Sequence, residues 1–242
     1  MGMKLRVDVW SDIACPWCYV GKRRLEAALA RFAHRSDVEV VWRAFELDPS
    51  APRVREGGAK YAQRLATKYG TSVERAQEMI DRMVDVAAAD GLAFDFERIQ
   101  PGNTFDAHRV LHLAHERGRQ DQVKERLLAG YMTEGRAIGQ PEVVLHLATD
   151  AGLDADEVQG VLSSDAYARE VRADEEEAHA LGISGVPFFV LGGRYGISGA
   201  QPVDLLHEAL GQAWSASSER SPEPDEAAAC GPDGCAVGAR PD

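Results

Sequence analysis

A chain of 242 residues suits one large domain, or one domain carrying a sizeable insertion, and can bury a core without disulfide or metal support. Its 45% hydrophobic and 27% charged residues form a globular composition. The net charge of −12 argues against nucleic-acid backbones and anionic membranes as partners, and no stretch approaches the roughly 20 apolar residues of a membrane span. With no apolar secretory core in MGMKLRVDVWSD, a cytoplasmic location is expected.

Lys4 to Trp10 alternates, with Leu5, Val7 and Val9 on one side, and reads as a strand. From Cys15 to about Ala33 the period becomes helical, with Leu25, Ala28, Leu29 and Phe32 on one face. Val38 to Phe45 is β-branched and aromatic, a second strand. A strand–helix–strand order calls for a parallel pair with a crossover helix. Pro49 to Gly58 breaks the pattern, and from about Ala59 to Leu181 only helices are expected. Thr71-Ser-Val-Glu74 and Asp154-Ala-Asp-Glu157 look like N-terminal caps, Pro141 like a first-turn residue, and Gly70, Gly91, Gly118, Gly152 and Gly182 like C-terminal stops. Met79 and Met83 fall on an apolar stripe with Ala76 and Ile80, and Glu170 to Glu177 reads as a solvated helix face.

Strand character returns at Pro187 to Leu191, followed by a Gly192-Gly193 turn, a partner strand over Arg194 to Ser198, and a last helix from Pro202 to about Ala213. The pattern divides the chain into an N-terminal half-fold (1–50), a helical insertion (51–182), a C-terminal half-fold (183–214) and a flexible, weakly apolar tail (215–242). The fold class is α/β.

Four cysteines are too few for a disulfide scaffold, and in a reducing compartment local pairs are more often redox-active or metal-binding than structural. Cys15-Pro16-Trp17-Cys18 stands at a strand-to-helix junction. Three-residue spacing on a helix puts both sulfurs on one face, Pro16 suits the first helical position, and the helix N-terminus favours a thiolate at Cys15. The bland alternatives are a zinc half-site or an inert pair. Cys230 and Cys235 bracket a Gly-Pro-Asp-Gly turn. They could be a second redox pair, an inert pair on the tail, or half of a four-thiolate zinc site.

SDIACPWCYVGKRRLE, followed far downstream by GISGVPFFVLGGRYGISGAQP, resembles the DsbA-like thioredoxin-fold oxidoreductases, and within them the cytoplasmic FrnE branch. The resemblance implies a thioredoxin-like βαβ…ββα fold around a helical insertion. It implies that Cys15 is the exposed nucleophile, Cys18 its resolving partner and Pro187 a cis-proline facing them. Val186 and Pro187 would offer backbone groups to an extended substrate. Pro16, Trp17, Val186 and Asn103 are then the expected substrate contacts, and Cys230 and Cys235 a second redox pair. The implied activity is dithiol–disulfide exchange or isomerisation on protein, peptide or small-thiol substrates. No metal or resident cofactor is expected, and glutathione is the candidate redox partner.

Two alternatives share the scaffold. One is a glutathione-dependent isomerase or kappa-type transferase, families that usually carry serine where this chain has Cys15. The other is a redox-linked chaperone. His108, His112 and His115 recur on one predicted helix and read as a partly buried, hydrogen-bonded face rather than metal ligands. By resemblance, the NTFDAHR segment should lie near the mouth of the site, with Asn103 or His108 as candidate substrate contacts. Asp8 and Asp12 are both placed to serve as the acidic group that thioredoxin-like enzymes set near the buried cysteine.

Overall fold

The structure, a computed structural model, describes residues 4–54 and 60–218. β1 (Leu5–Ser11) points Leu5, Val7 and Val9 into the core, as its alternation requires. It pairs in parallel with β2 (Val38–Ala44), from Leu5 opposite Val38 to Ser11 opposite Ala44. α1 (Pro16–Arg31) is the crossover between them. β3 (Phe188–Leu191) runs antiparallel to β1, and β4 (Tyr195–Ser198) antiparallel to β3, giving the order β2-β1-β3-β4. Gly192 and Gly193 both have positive φ, 58° and 67°, the backbone a two-residue hairpin turn needs.

α9 (Val203–Ser218) closes this layer, with Leu206, Leu210 and Ala213 buried against the sheet and α1. It runs beyond the expected end near Ala213. Trp214 stacks on His34 with centroids 4.2 Å apart and packs edge-on to Phe32, so the last residue of the C-terminal half-fold anchors the helix. The rest of the 215–242 segment, with Cys230 and Cys235, lies outside the described residues from 219 onward.

Between β2 and β3 come seven helices among the described residues: α2 (Tyr61–Tyr69), α3 (Val73–Ala89), α4 (Phe105–Glu116), α5 (Gln120–Met132), α6 (Pro141–Asp150), α7 (Ala155–Leu162) and α8 (Ala168–Ala180). The cap of α3 is Ser72 rather than Thr71. The Thr71 N–H is held by Ala66 O at the end of α2, leaving the Ser72 side chain to accept from Arg75 N. Asp154 caps α7 through the N–H groups of Asp156 and Glu157, as its sequence suggested.

The helices enclose a core of their own, which Ile13, Tyr19 and Val20 join from the first strand–helix unit. Leu25 and Ala28 of α1, with Phe32 at its C-cap, instead enter the sheet core. The Cys-Pro-Trp-Cys helix therefore lies at the seam of two apolar cores.

Side chains from the insertion also cover the open edge of β2. Gln120 receives Trp42 N–H and donates to Trp42 O, both at 2.9 Å, as a neighbouring strand would. Asp174 Oδ2 accepts from Ala44 N at 2.8 Å, its Oδ1 accepts from Arg43 Nη1 at 2.6 Å, and His112 Nε2 lies 3.0 Å from Oδ2. The expectation that 170–177 is a uniformly solvated face is thereby corrected. Asp174 is 1% exposed, because the helical period that buries Val171 and Ala178 buries it as well.

Candidate active site

Cys15 is the N-cap of α1, in extended conformation (φ −96°, ψ 112°), with Pro16 in the first turn, where no N–H is needed. Its sulfur sits at the positive end of the α1 dipole. The Val186–Pro187 peptide bond is cis, and Cys15 Sγ donates to Val186 O at 3.5 Å. Pro187 has no N–H, and its carbonyl already accepts from Gly199 N at 2.8 Å. Of the two residues expected to offer backbone groups, Val186 is thus the one facing Cys15. Both Cys15 and Cys18 are free thiols.

Cys15 was expected to be exposed. It is only 5% exposed, with the Val186 carbonyl lying against its sulfur, and its charge reaches Tyr61 of α2. Burial and the nearby Cys15 charge push the Tyr61 hydroxyl up to about 12, so it stays protonated over the working pH range. The motif's exposed residue is Trp17, at 44%. With half-buried Pro16 beside it, Trp17 is the part of the motif an incoming molecule meets first.

Cys18 is fully buried. Burial, together with the adjacent Cys15 sulfur, pushes its thiol well above the ordinary value, against a downward pull from Lys124 and the Asp12 N–H. Lys124 reaches this spot from α5 and is itself completely buried. Neither Lys124 nor Tyr61 was singled out in the sequence.

Asp12, not Asp8, is the acid beside the pair. Asp8 is engaged by Arg6 and Arg43 on the sheet. Asp12 is 1% exposed and clasps the site. Its Oδ1 accepts from Ala14 N at 3.2 Å, its Oδ2 accepts from Leu47 N at 2.8 Å, and His108 Nε2 lies 3.5 Å from Oδ1. Burial raises the Asp12 carboxyl, but His108, the Leu47 N–H and Thr104 outweigh it and hold the group below its ordinary value.

The histidine row divides rather than converging. His108 faces Asp12, His112 faces Asp174, and His115 is exposed. Asn103 is committed internally. Its Nδ2 donates to Glu46 Oε1 at 3.1 Å and Pro49 O at 3.4 Å, and its Oδ1 caps Phe105 N at 2.8 Å. The expected substrate contact at Asn103 gives way to a tie between the start of α4 and the segment after β2.

Gly21 lies beneath the cis-proline loop. A Cβ there would stand 2.9 Å from Pro187 Cγ and 3.3 Å from Phe189 Cζ. Alanine in a helix gains about 1 kcal/mol over glycine, whereas overpacking a tight contact costs about 1–3 kcal/mol. Gly21→Ala is therefore expected to be neutral to mildly destabilising in thermal unfolding, yet to lose several-fold in disulfide turnover by shifting Pro187. Wild-type turnover in this variant would show that the contact does not set the loop.

These features, a four-stranded β2-β1-β3-β4 sheet, a helical insertion and a Cys-x-x-Cys helix opposite a cis-proline, define a thioredoxin-like oxidoreductase architecture. The chain belongs to the DSBA-like thioredoxin domain family, a family of thiol oxidoreductases whose model matches residues 6–211. It is 51% identical to the probable DsbA oxidoreductase SCO1869 from Streptomyces coelicolor, with a TM-score of 0.83 over 97% of this chain and 100% of that one. It is also 28% identical over 211 residues to the uncharacterized protein YwbO of Bacillus subtilis (strain 168), covering 86% of this chain and 96% of the relative. The cytosolic disulfide reductase DsbM from Pseudomonas aeruginosa, 16% identical over 87% of this chain and 99% of its own, shares the fold with a TM-score of 0.58. No helix among the described residues is long and apolar enough to cross a membrane.

Proposed function

We propose that the protein is a cytoplasmic dithiol–disulfide oxidoreductase or isomerase whose working couple is Cys15 and Cys18. The observation that carries this reading is the placement of Cys15 at the α1 N-terminus, 3.5 Å from the Val186 carbonyl, with Cys18 buried on the next turn. In the reducing direction the Cys15 thiolate attacks a substrate disulfide and expels one thiolate. Cys18 then attacks Cys15 Sγ, releases the second substrate thiol and leaves the Cys15–Cys18 disulfide. In the oxidising direction a substrate thiolate attacks Cys15 Sγ of that disulfide, and the substrate's second thiol completes the exchange.

Substrates are protein or peptide disulfides and small thiols, approaching past Trp17 and pairing with the backbone of Val186. Glutathione is the proposed small-thiol partner, and DsbM, which shares the fold, is known in a structure with GSH. An isomerase or transferase acting without a dithiol leaves Cys18 without a role.

Titration in glutathione buffers, with alkylation and mass readout, tests the reading. The expected result is one two-electron transition between dithiol and disulfide, abolished by Cys18→Ser. Thiols that remain reduced in excess oxidised glutathione would overturn it.

A further inference from the structure

Two lysines approach the Trp42 ring, Lys22 at 5.9 Å and Lys124 at 5.6 Å, and their situations are opposite. Lys22 is neutralised by Glu26, Asp121 and Glu125. Lys124 Nζ is fully enclosed and has no hydrogen-bond partner among the described residues. A buried ammonium left unpaired costs several kcal/mol, so a lysine kept in that state needs another reason to be there.

The titratable groups that act most strongly on Lys124 are Cys18, Asp12, Cys15 and Lys22. Asp12 already holds the Ala14 and Leu47 N–H groups and faces His108, and no hydrogen bond joins it to Lys124. Lys22 carries a charge of the same sign. Cys15 Sγ is turned to the Val186 carbonyl. That leaves Cys18 as the group with a proton to exchange: α1 and α5 lie side by side, Tyr19 next to Cys18 donating to Glu125 next to Lys124 and Lys22 donating to Asp121, with Cys18 and Lys124 both buried between them.

We propose that the Lys124 amine accepts the Cys18 proton as Cys18 attacks the Cys15 mixed disulfide, an inference that rests on the dithiol reading above. The step balances without another reagent. The S–H proton of Cys18 passes to the neutral Lys124 amine, giving thiolate and ammonium. The thiolate then forms the Cys18–Cys15 bond, and the Cys15–substrate bond breaks with its electron pair on the departing sulfur. The ammonium proton goes to that substrate thiolate by way of water.

The environment gives a neutral base near neutral pH and a thiol that needs one. Burial pushes Lys124 down to about 8, with Cys18, Asp12 and Cys15 only partly opposing it, while burial pushes the Cys18 thiol up.

Stopped-flow reaction with the aryl disulfide dithiobis(nitrobenzoate) separates the two steps. The first nitrothiobenzoate released reports attack by Cys15, and the second reports resolution by Cys18. In Lys124→Met, which keeps the length and apolar stem of the side chain, the first phase is expected to hold within about twofold at neutral pH. The second should slow by roughly 100-fold, the low end for removing a positioned acid–base group. In wild type the second phase should rise to a plateau above about pH 8. In the variant it should keep rising beyond that pH.

An unchanged second phase and profile in Lys124→Met would overturn the proposal. If that variant does not fold, the wild-type profile decides: a unit-slope rise with no plateau up to roughly pH 10, where an ordinary lysine titrates, rejects it. Absence of the first phase in wild type would instead remove the dithiol reading itself.

Discussion

Cys15→Ser is expected to bring insulin-disulfide reduction down to the uncatalysed background, a loss of at least roughly 10³-fold, because an alcohol cannot replace the attacking thiolate. Cys18→Ser should differ in kind. Cys15 still attacks, but the mixed disulfide has no internal resolving thiol, so the protein gives one stoichiometric turnover and stops. The contrast matters because the two sulfurs are placed so differently, one at the helix cap against Val186 and the other wholly within the core. Substantial multiple turnover by Cys15→Ser would place the chemistry elsewhere. Equal defects in both variants, with no burst from Cys18→Ser, would remove the division of roles.

The second large effect is structural. Asp174 joins the insertion to the sheet through the Ala44 N–H, Arg43 and His112, with its side chain 2% exposed. Asp174→Ala leaves a buried N–H and part of a cation without partners, so a loss of about 3 kcal/mol is expected. For a chain of this length that lowers Tm by roughly 6–12 °C. Burial raises the Asp174 carboxyl, but His112, the Ala44 N–H and Arg43 outweigh it and hold the group below its ordinary value. Its folded pKa is thus depressed. The stability it supplies is complete above the unfolded value of about 3.9 and is lost as pH falls through the lower folded value. Acid unfolding should therefore be less steep in Asp174→Ala than in wild type. A Tm within about 1 °C of wild type would contradict this role.

The sequence made legible what depends on neighbours along the chain. The alternation of Leu5, Val7 and Val9, the three-residue cysteine spacing and the Gly192-Gly193 turn each express a local period or backbone need. The residues that finish the site and dock the insertion did not stand out, because their partners are distant. Gln120 meets Trp42, Asp174 meets Ala44, and Lys124 comes within electrostatic reach of Cys18 only after folding.

A trace was nevertheless present. Lys124 falls in the i, i+3, i+4, i+7 row with Leu127, Leu128 and Tyr131, and Asp174 falls in the row of Val171 and Ala178. A charged residue on the buried stripe of an otherwise amphipathic helix is the pattern that would have found both. The exposure expected of Cys15 failed for a related reason. The residue that lies against it, Val186, is 171 positions downstream.

The most direct measurement on the central claim is covalent trapping. The Cys18→Ser protein, incubated with a disulfide-bonded peptide and quenched by alkylation, should carry one peptide on Cys15 when mapped by mass spectrometry, and the adduct should be released by dithiothreitol. An unmodified Cys15 under conditions where the peptide disulfide reacts freely with glutathione would contradict the account.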